Sequence, residues 1–152
     1  MKIMVSACLL GENCKYNGGN NLCEAVCRFV AGHEIFAVCP EVMGGLPVPR
    51  EPAEIVDGVV RVQTGRSVDR EYRLGAEKAL EIAKREGVEL VILQPRSPSC
   101  GCRQIYDGTY SHVRKEGKGV FAQLLSDNGI RCVDAEELTA AGGCVRETEN
   151  GD

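Results

Sequence analysis

"KIMVSACLLGENC", residues 2–14, decides the fold. After Lys2 comes a short apolar run without helical periodicity that stops at Cys8, the pattern of a strand buried on both faces. The next segment, "NLCEAVCRFVAG" (21–32), places Leu22, Val26, Phe29 and Val30 at helical spacing. The chain therefore opens with a strand and then a helix. Working outward, "EIFAVCP" (34–40) is a second buried strand broken by Pro40, "VELVILQP" (88–95) a third ended by Pro95, and "IRCVDA" (130–135) a fourth. Within 68–86, Tyr72, Ala76, Ala79, Leu80 and Ala83 share one helical face. Ser67 is a candidate cap, and Gly87 lies where a left-handed C-terminal cap belongs. A further helix over 118–128 buries Val120, Phe121, Leu124 and Leu125 and ends at Gly129. The connections are an irregular "EVMGGLPVPREP" (41–52), a hairpin about Asp57-Gly58, and "RSPSCGCRQIYDGTYSHV" (96–113) with a hairpin at Asp107-Gly108.

Strands alternating with helices predict an α/β fold, a three-layer α/β/α sandwich around a mostly parallel, flavodoxin-like or Rossmann-like sheet. One domain is expected over 1–138, followed by a mobile polar tail over 139–152. In such sheets ligands collect beyond the carboxyl ends of the strands. Cys8 ends the first strand, Cys39 ends the second and Cys100 follows the third, so parallel pairing brings three thiols to one rim. Converging thiolates repel unless protonated or bound to a soft cation, and zinc, copper(I) and iron–sulfur clusters all suit them. The plain alternative is three small buried hydrophobes.

The other cysteines rank lower. Cys23 and Cys27 share a helical face, whereas Cys14 and Cys102 are potential substitute ligands or redox partners. Cys132 is expected in the core and Cys144 in the tail. No C-x-x-C occurs, which argues against zinc ribbons and thioredoxin-type pairs.

Nine cysteines in 152 residues are many, but the number is odd and no export signal precedes them. Only five residues separate Lys2 from Cys8, short of the roughly 7–15 of an export core. Reduced thiols in the cytoplasm fit better than a secreted disulfide framework. No apolar stretch is long enough to span a membrane. A net charge of −4 without a dense Lys/Arg cluster argues against a stable nucleic-acid complex.

Other groups surround the expected rim. Glu41, two residues after Cys39 at an apolar strand end, is a carboxylate suited to handling protons. Gly44 and Gly45 let backbone approach a ligand, and Ser97 and Ser99 supply hydroxyls. Arg50 can pair with Glu51, Glu54 or an anionic substrate group, and Tyr16 can stack on a planar ring.

Together "SACLLGENCKYNGG", "CPEVMGGLPVPREPAE", "TGRSVDREYRLGAEKAL" and "RSPSCG", in this order, resemble the thiouracil desulfidase family, a likeness spanning roughly residues 3 to 135. The resemblance implies a [4Fe-4S] cluster held by Cys8, Cys39 and Cys100, with the fourth iron open to substrate sulfur. It also implies catalytic roles for Glu41 and Ser97. In "LQPRSPSCG" it leads one to expect a lysine at Gln94 or a neighbour, and none stands there. The substrate implied is a small thiolated pyrimidine base or nucleotide rather than transfer RNA, and sulfide is released. Two other readings use the same thiols, a non-enzymatic zinc protein and an iron–sulfur sulfur carrier or redox sensor.

Overall fold

The computed structural model describes residues 1–138; the expected tail and Cys144 lie outside them. The four runs read as buried strands form one parallel sheet. These are β1 (Lys2–Ser6), β2 (Glu34–Val38), β5 (Leu90–Leu93) and β8 (Cys132–Asp134), in the order β2-β1-β5-β8. Register pairs Val5 with Ala37 on one side and with Ile92 on the other, and Ile92 in turn with Val133.

Strand alternation divides the core between two faces. Ile3, Val5, Leu90 and Ile92 pack with Val26 and Val30 of α1 (Glu24–Val30) and Ala135 of α5 (Ala135–Leu138). Met4, Val91 and Leu93 pack with Tyr72, Ala76, Ala79 and Ala83 of α3 (Asp69–Glu86) and with Phe121 and Leu125 of α4 (Val120–Asp127). This is the expected three-layer arrangement. Among the described residues no helix is long and apolar enough to cross a membrane.

Helix α3 ends as the sequence predicts, with Gly87 in the left-handed conformation (φ 69°) accepting no Cβ penalty. Ser67 acts one position early: Val68 precedes the helix, and Ser67 Oγ accepts the Asp69 N–H at 3.3 Å. The Asp57-Gly58 hairpin joins β3 (Ala53–Val56) to β4 (Val59–Val62) with positive φ at both turn residues.

Three local expectations are corrected. Leu22 and Phe29 are exposed, because the short α1 turns only Val26 and Val30 inward. Residues 40–43 are helical rather than irregular: Pro40 sits in the first turn of α2 (Pro40–Met43), where its missing N–H costs nothing. Asp107-Gly108 does not make a tight hairpin. Strands β6 (Gln104–Tyr106) and β7 (Arg114–Glu116) pair across a longer loop, because Glu54 Oε1 accepts the N–H groups of Gly108 (3.0 Å) and Tyr110 (3.1 Å) and draws the loop onto β3.

Helices α2 and α3 cross with their backbones nearly touching. A Cβ on Gly44 would stand 1.9 Å from Glu71 O, and one on Gly75 1.7 Å from Pro40 O. This crossing fixes α2, and with it Cys39 and Glu41, against the rest of the domain.

Candidate active site

From β1 the chain steps to β2 on one side, then places β5 on the other, so strand order reverses between β1 and β5. Such switch points leave a crevice at the carboxyl edge. A pocket occupies it, lined by Ser6 and Cys8 after β1, Cys39 and Glu41 after β2, and Gln94, Ser97 and Cys100 after β5. Cys14, Lys15 and Arg50 complete its wall. The three thiols selected from strand order thus share one cavity.

Each is held differently. Cys8 lies in a 3-10 turn (Ala7–Leu10) directly after β1, and its sulfur accepts the Asn21 side-chain amide at 3.5 Å. Cys39 precedes Pro40, which keeps it extended (φ −127°) at the mouth of α2. A hydrogen bond from the Cys14 thiol lowers the Cys39 pKa to about 7 against the opposing effect of burial; the same bond, with burial, raises Cys14. Of the two thiols, Cys39 is the one that ionises first. Burial pushes the Cys100 thiol well up, a cost that a bound cation removes by deprotonating it outright.

The loop carrying Ser97 and Cys100 is fixed from several sides. Ser97 Oγ accepts the N–H groups of Ser99 and Cys100, both at 3.0 Å. Pro98 and Ser99 carbonyls accept the Val120 and Phe121 N–H groups at 2.8 Å, so the loop satisfies the open end of α4. Arg96, buried and with a left-handed backbone (φ 63°), pairs with Glu136 at 3.0 Å, and Arg103 reaches Asp134 at 3.6 Å. These ion pairs tie the loop to β8 and α5.

Glu41 faces Arg50 across a buried ion pair of 2.8 Å, with side chains 8% and 7% exposed. Burial works against the guanidinium charge, but the adjacent carboxylate overcomes it and holds the Arg50 pKa above its usual value. Arg50 also donates to Cys14 O (2.9 Å) and Pro47 O (3.1 Å). It thereby organises Glu41 and the Cys14 loop, rather than pairing with Glu51, Glu54 or a substrate anion. The second Glu41 oxygen faces Ser97 Oγ at 3.5 Å, a long contact that leaves room for a third partner.

Four candidates stand outside the pocket lining. Gly44 is committed to the α2–α3 crossing, Gly45 (φ 102°) makes the turn behind it, and Ser99 is fully buried in the loop. Tyr16 contributes its carbonyl, which accepts the Arg50 N–H at 2.7 Å. Conversely, Asn21, Ser6 and Lys15 were not singled out in the sequence. Cys14 carries the one readable signal, its place six residues after Cys8 in a glycine- and asparagine-rich loop that returns to the strand end.

Cys102 does not join the site: it is buried in the α3–α4 core, hydrogen-bonded to Cys132. Cys23 is disulfide-bonded, which corrects the all-reduced expectation at that position, and Cys27 is half-buried. Among the described residues no three His, Cys, Asp or Glu side chains converge closely enough for one metal ion. A single zinc needs all its ligands about 2.0–2.3 Å from one point. A cubane attaches each cysteine to a different iron and does not require the thiols to meet at one point.

Comparison with known proteins agrees with this chemistry. The chain is 39% identical over 146 residues to the uncharacterized protein YbbK of Bacillus subtilis (strain 168), covering 90% of this chain and 97% of that protein. The fold matches a solved [4Fe-4S]-dependent thiouracil desulfidase, TudS, with a TM-score of 0.85 and 38% identity over 91% of this chain and 93% of that one. Residues 3–137 match the family model described as 2-thiouracil desulfurase, and the chain belongs to that family.

Proposed function

We propose that this protein is a [4Fe-4S]-dependent desulfidase that replaces the thiocarbonyl sulfur of a thiopyrimidine, such as 2-thiouracil, 4-thiouracil or a thiouridine nucleotide, by oxygen. Water and the thiocarbonyl give a carbonyl and hydrogen sulfide, with no net electron transfer. The observation that carries the reading is the meeting of Cys8, Cys39, Cys100 and Glu41 in one pocket.

Cys8, Cys39 and Cys100 would hold the cluster, with the Asn21 amide and the Cys14 thiol donating to two of their sulfurs. When bound, the cluster supplies a thiophilic Lewis acid at its iron without a protein ligand, which draws electron density from the carbon bearing substrate sulfur. Glu41 is the general base. Arg50 fixes one carboxylate oxygen, leaving the oxygen that faces Ser97 to take a proton from the attacking water and return it to the departing sulfur. The Ser97 oxygen already accepts two backbone N–H groups, so its own O–H is directed toward Glu41 and holds water or substrate between them.

The test is sulfide release from a thiopyrimidine panel by protein reconstituted without oxygen. Glu41→Gln should retain iron and visible absorption yet lose turnover, whereas Cys100→Ala should lose both. Sulfide release by Glu41→Gln at the parental rate would refute the assigned base.

A further inference from the structure

Gln94 directly follows β5, lines the pocket and is 6% exposed. Its backbone N–H is anchored on Ser6 Oγ at 3.0 Å, which fixes the main chain at this position relative to β1. Its Oε1 is buried with no hydrogen-bond partner among the described residues. A buried acceptor without a partner is costly and is normally met by something the protein alone does not provide. Around it, one Glu41 oxygen pairs with Arg50, Ser97 Oγ accepts two backbone N–H groups, and Ser6 Oγ accepts the Gln94 N–H.

We infer that Gln94 reads the substrate's ring edge, its Oε1 accepting the N3–H that lies beside the reacting thiocarbonyl and its Nε2 donating to the ring carbonyl on the far side of N3. A carboxamide offers one acceptor and one donor side by side. Both 2-thiouracil and 4-thiouracil present the complementary pair at N3–H and the remaining carbonyl, whichever position carries sulfur. The contact is compatible with a sugar on N1. A lysine at this position would offer donors alone and could not accept the N3–H, so the glutamine at this place in "LQPRSPSCG" gives the pocket an acceptor. This inference rests on the proposed desulfidase reading and adds to it the group that selects the base.

The experiment uses reconstituted protein, wild type and Gln94→Met, with 2-thiouracil and its N1-methyl and N3-methyl derivatives, measuring kcat, KM, iron content and ligand binding by calorimetry. For wild type, N3-methylation should reduce kcat/KM and affinity roughly 5- to 150-fold, the loss expected when a buried acceptor is left unpaired. N1-methylation should change them little. Gln94→Met should keep its iron, lose a similar factor on 2-thiouracil, and no longer distinguish the N3-methyl compound. The methylated substrates test the unaltered protein, so the result does not depend on how the variant folds. Wild-type turnover indifferent to N3-methylation, or equal losses on all three compounds in Gln94→Met, overturns the inference while the desulfidase reading stands. Gln94-dependent binding of 2-thiouracil without sulfide release upholds the inference and overturns the desulfidase reading. Absence of both binding and turnover overturns both.

Discussion

Replacing Arg50 by Met tests whether the pocket is as dry as its geometry indicates. At 2.8 Å and an effective dielectric of about 20, the Arg50–Glu41 attraction is about 6 kcal/mol, much of it offset by the desolvation of both charges. Removing one partner leaves the other buried and uncompensated, at a cost of about 3–5 kcal/mol. The lower end is expected, because the cavity meets solvent on one side. Against a total stability of roughly 5–15 kcal/mol, that loss is readily measured. Glu41→Gln should cost less, since the guanidinium keeps its bonds to Cys14 O and Pro47 O. The double variant should recover most of the Arg50→Met loss, except for about 1 kcal/mol per carbonyl bond forfeited. Urea unfolding of the reduced, cluster-free protein, followed by circular dichroism at constant m-value, gives the four free energies. The cycle should show a coupling of at least about 2 kcal/mol. A coupling within about 0.5 kcal/mol of zero would mean a solvated pair, and the assignment of Glu41 as a base held in place by Arg50 would fall with it.

Other consequences are equally direct. Gly75→Ala should prevent folding or displace α2, because its methyl would meet Pro40 O at 1.7 Å; a variant with unchanged thermal stability and iron binding would contradict the crossing. Cys39 has its pKa lowered from 9.0 to about 7 by the Cys14 thiol, so in folded, cluster-free protein it is the thiolate from about pH 7 upward and regains its proton only below that. Its alkylation by iodoacetamide should therefore rise with a midpoint near pH 7 and shift toward 9 in urea. A midpoint near 9 in the folded protein would show that the Cys14–Cys39 bond is not made.

The four buried strands, the long helix with its Gly87 cap and the Asp57-Gly58 hairpin were all legible, because each depends on local periodicity or on a backbone angle that few residues adopt. Parallel pairing then placed Cys8, Cys39 and Cys100 on one rim from strand order alone. Sequence likewise nominated Glu41 and Ser97, whose positions two residues after one thiol and three before another carry them to the same edge. What it did not reveal were interactions between segments far apart in the chain. That Gly44 serves a helix crossing rather than a ligand depends on Gly75 lying opposite. That Arg50 neutralises Glu41, and that the Cys14 thiol settles the charge on Cys39, depend on loops returning across the crevice. The unpartnered acceptor of Gln94 was equally invisible, since an unmet hydrogen bond is a property of everything surrounding an atom. Periodicity thus determined which faces are buried and where the strands end; the charge state and free valences of the pocket were decided only when distant loops closed over it.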